Sequence, residues 1–425
     1  MIAGMTSGPT ATPPTSRLGP LAEPQFRLLW IGQTASAAGD ALIPVAVAFA
    51  VLGIRGSATD LGIVFAAFTV AHVALVLVGG VLADRLPRQL VMVVCDVVRC
   101  IGEVVLAVLL ISHTAQIWHI AVAAAVIGGA SAFFLPASGG LVPQTVSAGR
   151  LQQANALMSL SRSATGIFGP PVAGLLIVVS GTGLVFLVDA ATFVLSAISL
   201  LMLRLPPTKA RPSEQHFLAD LAAGWREVAA RRWIVAAICA FALSNMAGSA
   251  FFILGAVVAS TKLGGAAAWA LILSGGAIGG VIGGLLALRL RPKRPLLVGF
   301  LLTSTMALPL LALIGPLPLL LIATASLVSV AGSQLANTWW FTMLQQHVPE
   351  HALSRVSSYD WLVSLVFQPM GSLLAGPLAL SIGFPATLIG AAGVALAGNL
   401  GVLLVREVRE VRWVDDTAAA PVSEG

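Results

Sequence analysis

The chain is short of charge. Only 9% of its 425 residues are Asp, Glu, Lys or Arg, against roughly a quarter in a typical soluble domain, which excludes a surface built mainly for water. Cysteine is scarce too. Cys95, Cys100 and Cys239 all lie in apolar runs, where thiols act as small packing groups rather than as disulfides or metal ligands. There is no phosphate-cradling glycine loop, no metal-ligand cluster and no nucleophile motif, which argues against an enzyme and against a bound cofactor. Residues 1–25 also lack the basic segment, short apolar core and small-residue site of a cleaved leader. The first apolar run is therefore expected to be its own targeting signal.

What the chain has instead is apolar sequence: 58% of it. A bilayer core about 30 Å thick needs roughly 20 apolar residues per helical crossing, and helices satisfy their own backbone there without closing a barrel. Twelve spans follow: 26–53, 60–83, 91–113, 117–138, 153–180 and 183–204, then 233–260, 267–289, 296–314, 317–343, 354–381 and 385–405. The predicted fold class is an all-α integral membrane protein with the bilayer as its partner.

A formal net charge of +6 and a pI near 10.0 invite a nucleic-acid reading, but the placement of the bases opposes it. All of the 23 Lys and Arg but four fall on one side of the predicted topology. Arg55 and Lys262 fall on the other side, and Arg99 and Arg162 fall within spans. That asymmetry follows the positive-inside rule and puts both termini in the cytoplasm of a multi-pass protein of the inner (plasma) membrane.

The series breaks at 205–232, where Pro206, Pro207, Lys209, Arg211 and Pro212 precede Phe217, Leu221 and Trp225 at helical spacing. This reads as a cytoplasmic linker with an amphipathic interfacial helix. It divides an N-terminal six-helix bundle (26–204) from a C-terminal one (233–405), with tails at 1–25 and 406–425. At an offset of about 204, Gly80-Val81-Leu82-Ala83-Asp84-Arg85-Leu86 aligns with Gly284-Leu285-Leu286-Ala287-Leu288-Arg289-Leu290, and Val142-Pro143-Gln144 echoes Val348-Pro349-Glu350. Duplicated bundles that rock about a central site expose it to each side in turn.

The stretch Gly80 to Arg88 resembles the signature loop of the major facilitator superfamily, with Pro87 for the usual second glycine and Gln89 for the final base. Phe26-Arg27-Leu28-Leu29-Trp30-Ile31-Gly32-Gln33 with Gly39-Asp40, then Asn155-Ala156-Leu157, Gly169-Pro170-Pro171-Val172-Ala173-Gly174 and Val188-Asp189-Ala190-Ala191-Thr192-Phe193, resemble its bacterial drug-antiporter branch, which holds macrolide-type efflux proteins and the enterobactin exporter. The resemblance implies proton-coupled efflux of a hydrophobic or amphipathic small molecule, with a proton gradient as the energy source and no cofactor; a monomer is expected. A lipid flippase, an uptake carrier or a non-transporting membrane sensor are the alternatives.

An acid at mid-membrane costs a few kcal/mol on insertion scales and asks for a reason. Asp40 lies about 14 residues, roughly 21 Å, into the first span, as either a proton-coupling carboxylate or a structural acid. Glu103 lies at similar depth, and spacings of three, four and seven align Asp96, Arg99 and Glu103 on one helix face as a charge ladder. Arg162 is expected to pair with Asp40 or Glu103 or to meet an anionic substrate, while Asp189 reads as structural. His72 is either a proton relay or a helix-to-helix hydrogen bond.

The resemblance also implies a conformational latch. Asp84 would meet the N-terminus of the eleventh helix, with Gly80 in the same loop and Arg85 and Arg88 adding salt bridges; a plain topology signal is the other reading. Gly169, Pro170 and Gly174 are expected to bend the fifth helix and let it approach a neighbour. A cavity between the first, fourth, seventh and tenth helices is expected to be lined by Gln33, Ser36, Phe133, Phe134, Asn245, Phe251, Gln334, Asn337 and Trp340, few polar groups among aromatics, which suits an amphipathic solute.

Overall fold

The computed structural model describes residues 19–205, 225–315 and 317–414, with the side chains of 77–85 and of 148, 350, 351, 354, 355 and 358 outside the description. Among the described residues twelve long helices make up the body: α1 (Pro24–Gly53), α2 (Ala58–Arg85), α3 (Arg88–Ile111), α4 (Ile117–Gly139), α5 (Leu151–Ser180) and α6 (Thr182–Leu201). The second set is α7 (Arg232–Leu263), α8 (Ala266–Ala287), α9 (Pro295–Ala312), α10 (Leu319–His347), α11 (Glu350–Ser381) and α12 (Phe384–Leu404). Eleven are long and apolar enough to cross a membrane. The twelfth, α3, has the length but carries Asp96, Arg99 and Glu103. Most of the predicted linker helix, 206–224, lies outside the described residues; Trp225 beyond it rests on Tyr359, ring centroids 5.7 Å apart.

Local chemistry sets the ends. Ser57 and Asp60 cap α2 reciprocally: the Ser57 backbone N–H and hydroxyl both donate to the Asp60 carboxylate (2.8 and 2.7 Å), and the Asp60 N–H donates back to the Ser57 hydroxyl at 3.2 Å. The α5–α6 and α11–α12 turns, equivalent in the two halves, pivot on Gly181 and Gly383 at φ 79° and 89°, a region that only glycine enters freely.

The halves repeat one packing plan. Helix α2 packs on α4 as α8 packs on α10, and α1 packs on α6 as α7 packs on α12. Between the halves, α2 meets α11 and α5 meets α8. Call the end bearing the α2–α3 loop and the arginine-rich turns the basic end. At the opposite, far end one apolar core runs through both halves, joining Leu42 to Val51 of α1 with Ala250 to Ala259 of α7 and with Trp269 and Ala375. At the basic end there are two cores, one around Met92, Leu141 and Leu200 and the other around Trp233, Phe300 and Met343, each confined to its own half. The molecule is zipped at the far end and divided at the basic end.

Candidate functional site

A cavity of about 570 Å³ sits between the halves, walled by α1 to α4 and α6 on one side and by α7 and α11 on the other. Its polar centre starts with a break in α1. The helix stops at Asp40 and restarts at Ile43, because Pro44 has no N–H for the Asp40 carbonyl four residues back. The break carries the Asp40 side chain to the cavity wall, 45% accessible.

Arg99 is what Asp40 meets. The Arg99 guanidinium, buried on α3, donates to the Asp40 carboxylate at 3.3 Å and to the Ser131 hydroxyl of α4 at 3.0 Å. It lies 3.9 Å from Asp96 and is sandwiched by rings, 4.6 Å from the centroid of Phe193 and 5.2 Å from that of Phe134. Such packing holds a desolvated cation in place. Glu103 and Asp189 line the same cavity. Asp189 fits because Gly39 has no side chain: a Cβ there would collide with the Asp189 carboxylate. Two carboxyls, Asp40 and Asp96, thus pair with one guanidinium while Glu103 and Asp189 stand nearby without a cation of their own, and both Asp96 oxygens, Glu103 Oε2 and Asp189 Oδ2 lack a hydrogen-bond partner among the described residues.

Several expectations change. Arg162 is exposed on α5 and makes no ion pair among the described residues, so Arg99 takes the place expected of it. Asp189, read as structural, joins the cluster. His72 lines the cavity and meets the Gly128 carbonyl at 3.2 Å, the helix-to-helix contact.

The expected cavity residues divide. Asn245, Gln334 and Asn337 border a second chamber of about 340 Å³ inside the second half, next to Asp360. Phe134 touches Arg99 instead of the cavity. Gln33 and Ser36 border neither chamber, and Phe133 packs on the basic-end core of the first half. Phe251 turns into the far-end core against Trp269, ring centroids 5.3 Å apart, and its neighbour Phe252 takes the wall. Trp340 is fully buried and donates its indole N–H to Asp360 at 2.9 Å. On helices apolar all round, a residue's rotation about the axis is not readable from spacing.

On α5, Gly169 touches Ala41 beside the α1 break and Gly174 touches α8, so both allow close approach, but the helix runs unbroken through Pro170 and Pro171. Of the latch, the side chains of Gly80, Asp84 and Arg85 fall outside the described residues. Arg88 donates to the Gly140 carbonyl at 2.8 Å, tying α3 to the end of α4.

The sequence profile of the Major Facilitator Superfamily matches residues 29–366. The multidrug efflux pump Tap of Mycolicibacterium fortuitum is 28% identical over 387 residues, 86% of this chain and 91% of that protein. The enterobactin exporter EntS of Escherichia coli O6:K15:H31 (strain 536 / UPEC) is 26% identical over 406 residues, 95% of this chain and 96% of that protein. Among solved structures, a bacterial homologue of the human lysosomal transporter Spinster, inward-facing and unoccupied, gives a TM-score of 0.70 at 15% identity, covering 92% of this chain and 98% of that one. The nucleoside transporter NupG gives 0.68 at 13% identity, covering 89% and 98%. At these identities the structural likeness speaks to the fold alone.

Proposed function

The chain belongs to the major facilitator superfamily of transporters, and we propose that it exports a hydrophobic or amphipathic small molecule from the cell in exchange for protons, by alternating access. Efflux is supported by the end-to-end similarity to two exporters. The basic end is taken as cytoplasmic under the positive-inside rule, in the inner membrane. With the far end closed by a shared core and the basic end divided, the molecule is then inward-facing, ready to load from the cytoplasm.

The observation that carries the proton reading is the charge imbalance around Arg99: three carboxyls at the cavity wall and a fourth, Asp96, buried beside the one guanidinium. A low-dielectric interior does not hold three unbalanced negative charges, so protons make up the difference. In this reading a proton on Asp40 releases Arg99 towards Asp96, Glu103 and Asp189, whose oxygens are without partners. A solute in the cavity and a proton on Asp40 then compete, which is antiport. The latch of Gly80, Asp84, Arg85 and Arg88 with the start of α11 would close the basic end in the opposite state. The transporter needs no bound cofactor and works as a monomer.

The test uses inside-out membrane vesicles holding a respiratory proton gradient. Adding ethidium, a lipophilic cation, and then a panel of amphipathic antibiotics should dissipate the gradient through the wild-type protein. In the Asp40→Asn, Glu103→Gln double variant the dissipation should be lost. Wild-type proton movement in that variant removes the proposed coupling, and solute movement indifferent to the gradient would point to a flippase.

A further inference from the structure

The second chamber has no part in the proton cluster, yet it holds unspent polarity. Asp360 of α11 is only 5% accessible; its carboxylate has the Trp340 indole N–H at 2.9 Å and the Ser364 hydroxyl as neighbours, while Oδ1 makes no hydrogen bond among the described residues. Across the chamber on α10, the exposed side-chain amides of Gln334 and Asn337 also have no protein partner among the described residues. Asn245 is different, because its amide already donates to the Ser364 carbonyl at 3.0 Å. A buried carboxylate kept with an unfilled acceptor position costs stability, and here the residue that bears it borders a space able to hold a ligand group.

Trp361 and Leu365 border both chambers, so the two spaces adjoin along that seam. The first is walled largely by aliphatic and aromatic side chains, while the second offers an acid and two free amides. At about 570 and 340 Å³ they are each of the size that takes part or all of a drug-sized molecule.

We infer that the second chamber is the head-group subsite of the substrate path: the apolar body of the solute lies in the first chamber and an ammonium head reaches past Trp361 to Asp360, with Gln334 and Asn337 accepting its remaining hydrogens. The inference rests on the reading of the chain as a carrier of amphipathic solutes and names the head group that such solutes bear. It separates recognition, in the second half, from coupling, in the first.

Two fluorescent probes test it: N-(5-aminopentyl)dansylamide and N-pentyldansylamide, which differ only in a terminal ammonium. Binding to purified protein in detergent, with no proton gradient, is read from dansyl emission. Wild type should bind the amino probe at least about tenfold more tightly. In Asp360→Asn and in Asn337→Leu the preference should fall below about threefold while the pentyl probe binds as before, which also reports that the variants are folded. Should Asp360→Asn not fold, the exposed Asn337→Leu carries the test alone. Absence of a preference in wild type, including binding of neither probe, overturns the subsite, as does a preference that survives in the variants. Because no gradient is present, this outcome is independent of the vesicle experiment: coupling can fail with the head-group preference intact, and the reverse.

Discussion

Between α1 and α6 the cavity wall carries three carboxyls, Asp40, Glu103 and Asp189, with Arg99 and His72, and Asp96 is buried behind them; between α7 and α12 the polar groups at the two chambers are hydroxyls and amides, with Asp360 the only buried acid of that half among the described residues. The backbone plan is shared, but α9, the repeat partner of α3, has no ionisable residue from Pro295 to Ala312. Duplication therefore copies the scaffold without its chemistry. A rocking mechanism needs two matched bodies, whereas proton coupling needs only one charge cluster. The divergence leaves the second half free to hold a solute, with one acid, Asp360, among neutral groups at its chamber.

The sharpest way to break the comparison is to remove its centre. Arg99→Met leaves Asp40 without its cation and strands the buried Asp96, and losing one partner of a buried pair costs about 3–5 kcal/mol. Thermal unfolding in detergent should show a large fall in midpoint or no folded protein, and a stable, coupled Arg99→Met would sink the cluster. Next is Gly39→Ala, whose methyl collides with the Asp189 carboxylate. Overpacking of that kind costs about 1–3 kcal/mol, and the loss should be visible by the same assay together with slowed transport. In the second half, Trp340→Phe removes the indole donor to Asp360, and an unmatched buried acceptor costs about 1–3 kcal/mol. Its proton coupling should be untouched, so a coupling defect there would blur the division between halves. The smallest effect belongs to Arg162→Gln. An exposed residue without an ion pair among the described residues should shift stability by less than about 0.5 kcal/mol and leave coupling unchanged.

The twelve helices were legible because crossing a bilayer demands long apolar windows, and the two-half plan because the loop repeat survives at Gly80 and Gly284. The Asp96, Arg99 and Glu103 alignment was also legible, since one helix carries all three. What spacing does not encode is which neighbour a residue meets. Pairing Asp40 with Arg99 instead of Arg162 depends on α3 lying beside the α1 break, and the signal for that break, Pro44 four residues after Asp40, is in the sequence. Asp189 had a quieter signal in Gly39, the gap into which it fits. Phe251 and Phe252 show the remaining difficulty: neighbours 100° apart on an apolar helix, one in the core and one on the cavity wall.

The claim that the first-half cluster couples protons to solute is tested most directly in proteoliposomes that are given an inside-acid pH gradient and external ethidium. Wild type should accumulate the dye against its concentration gradient. Asp40→Asn should still exchange it downhill but no longer concentrate it, while Asp360→Asn should keep gradient-driven accumulation of any solute that it still binds. Concentrative transport surviving in Asp40→Asn would contradict the account.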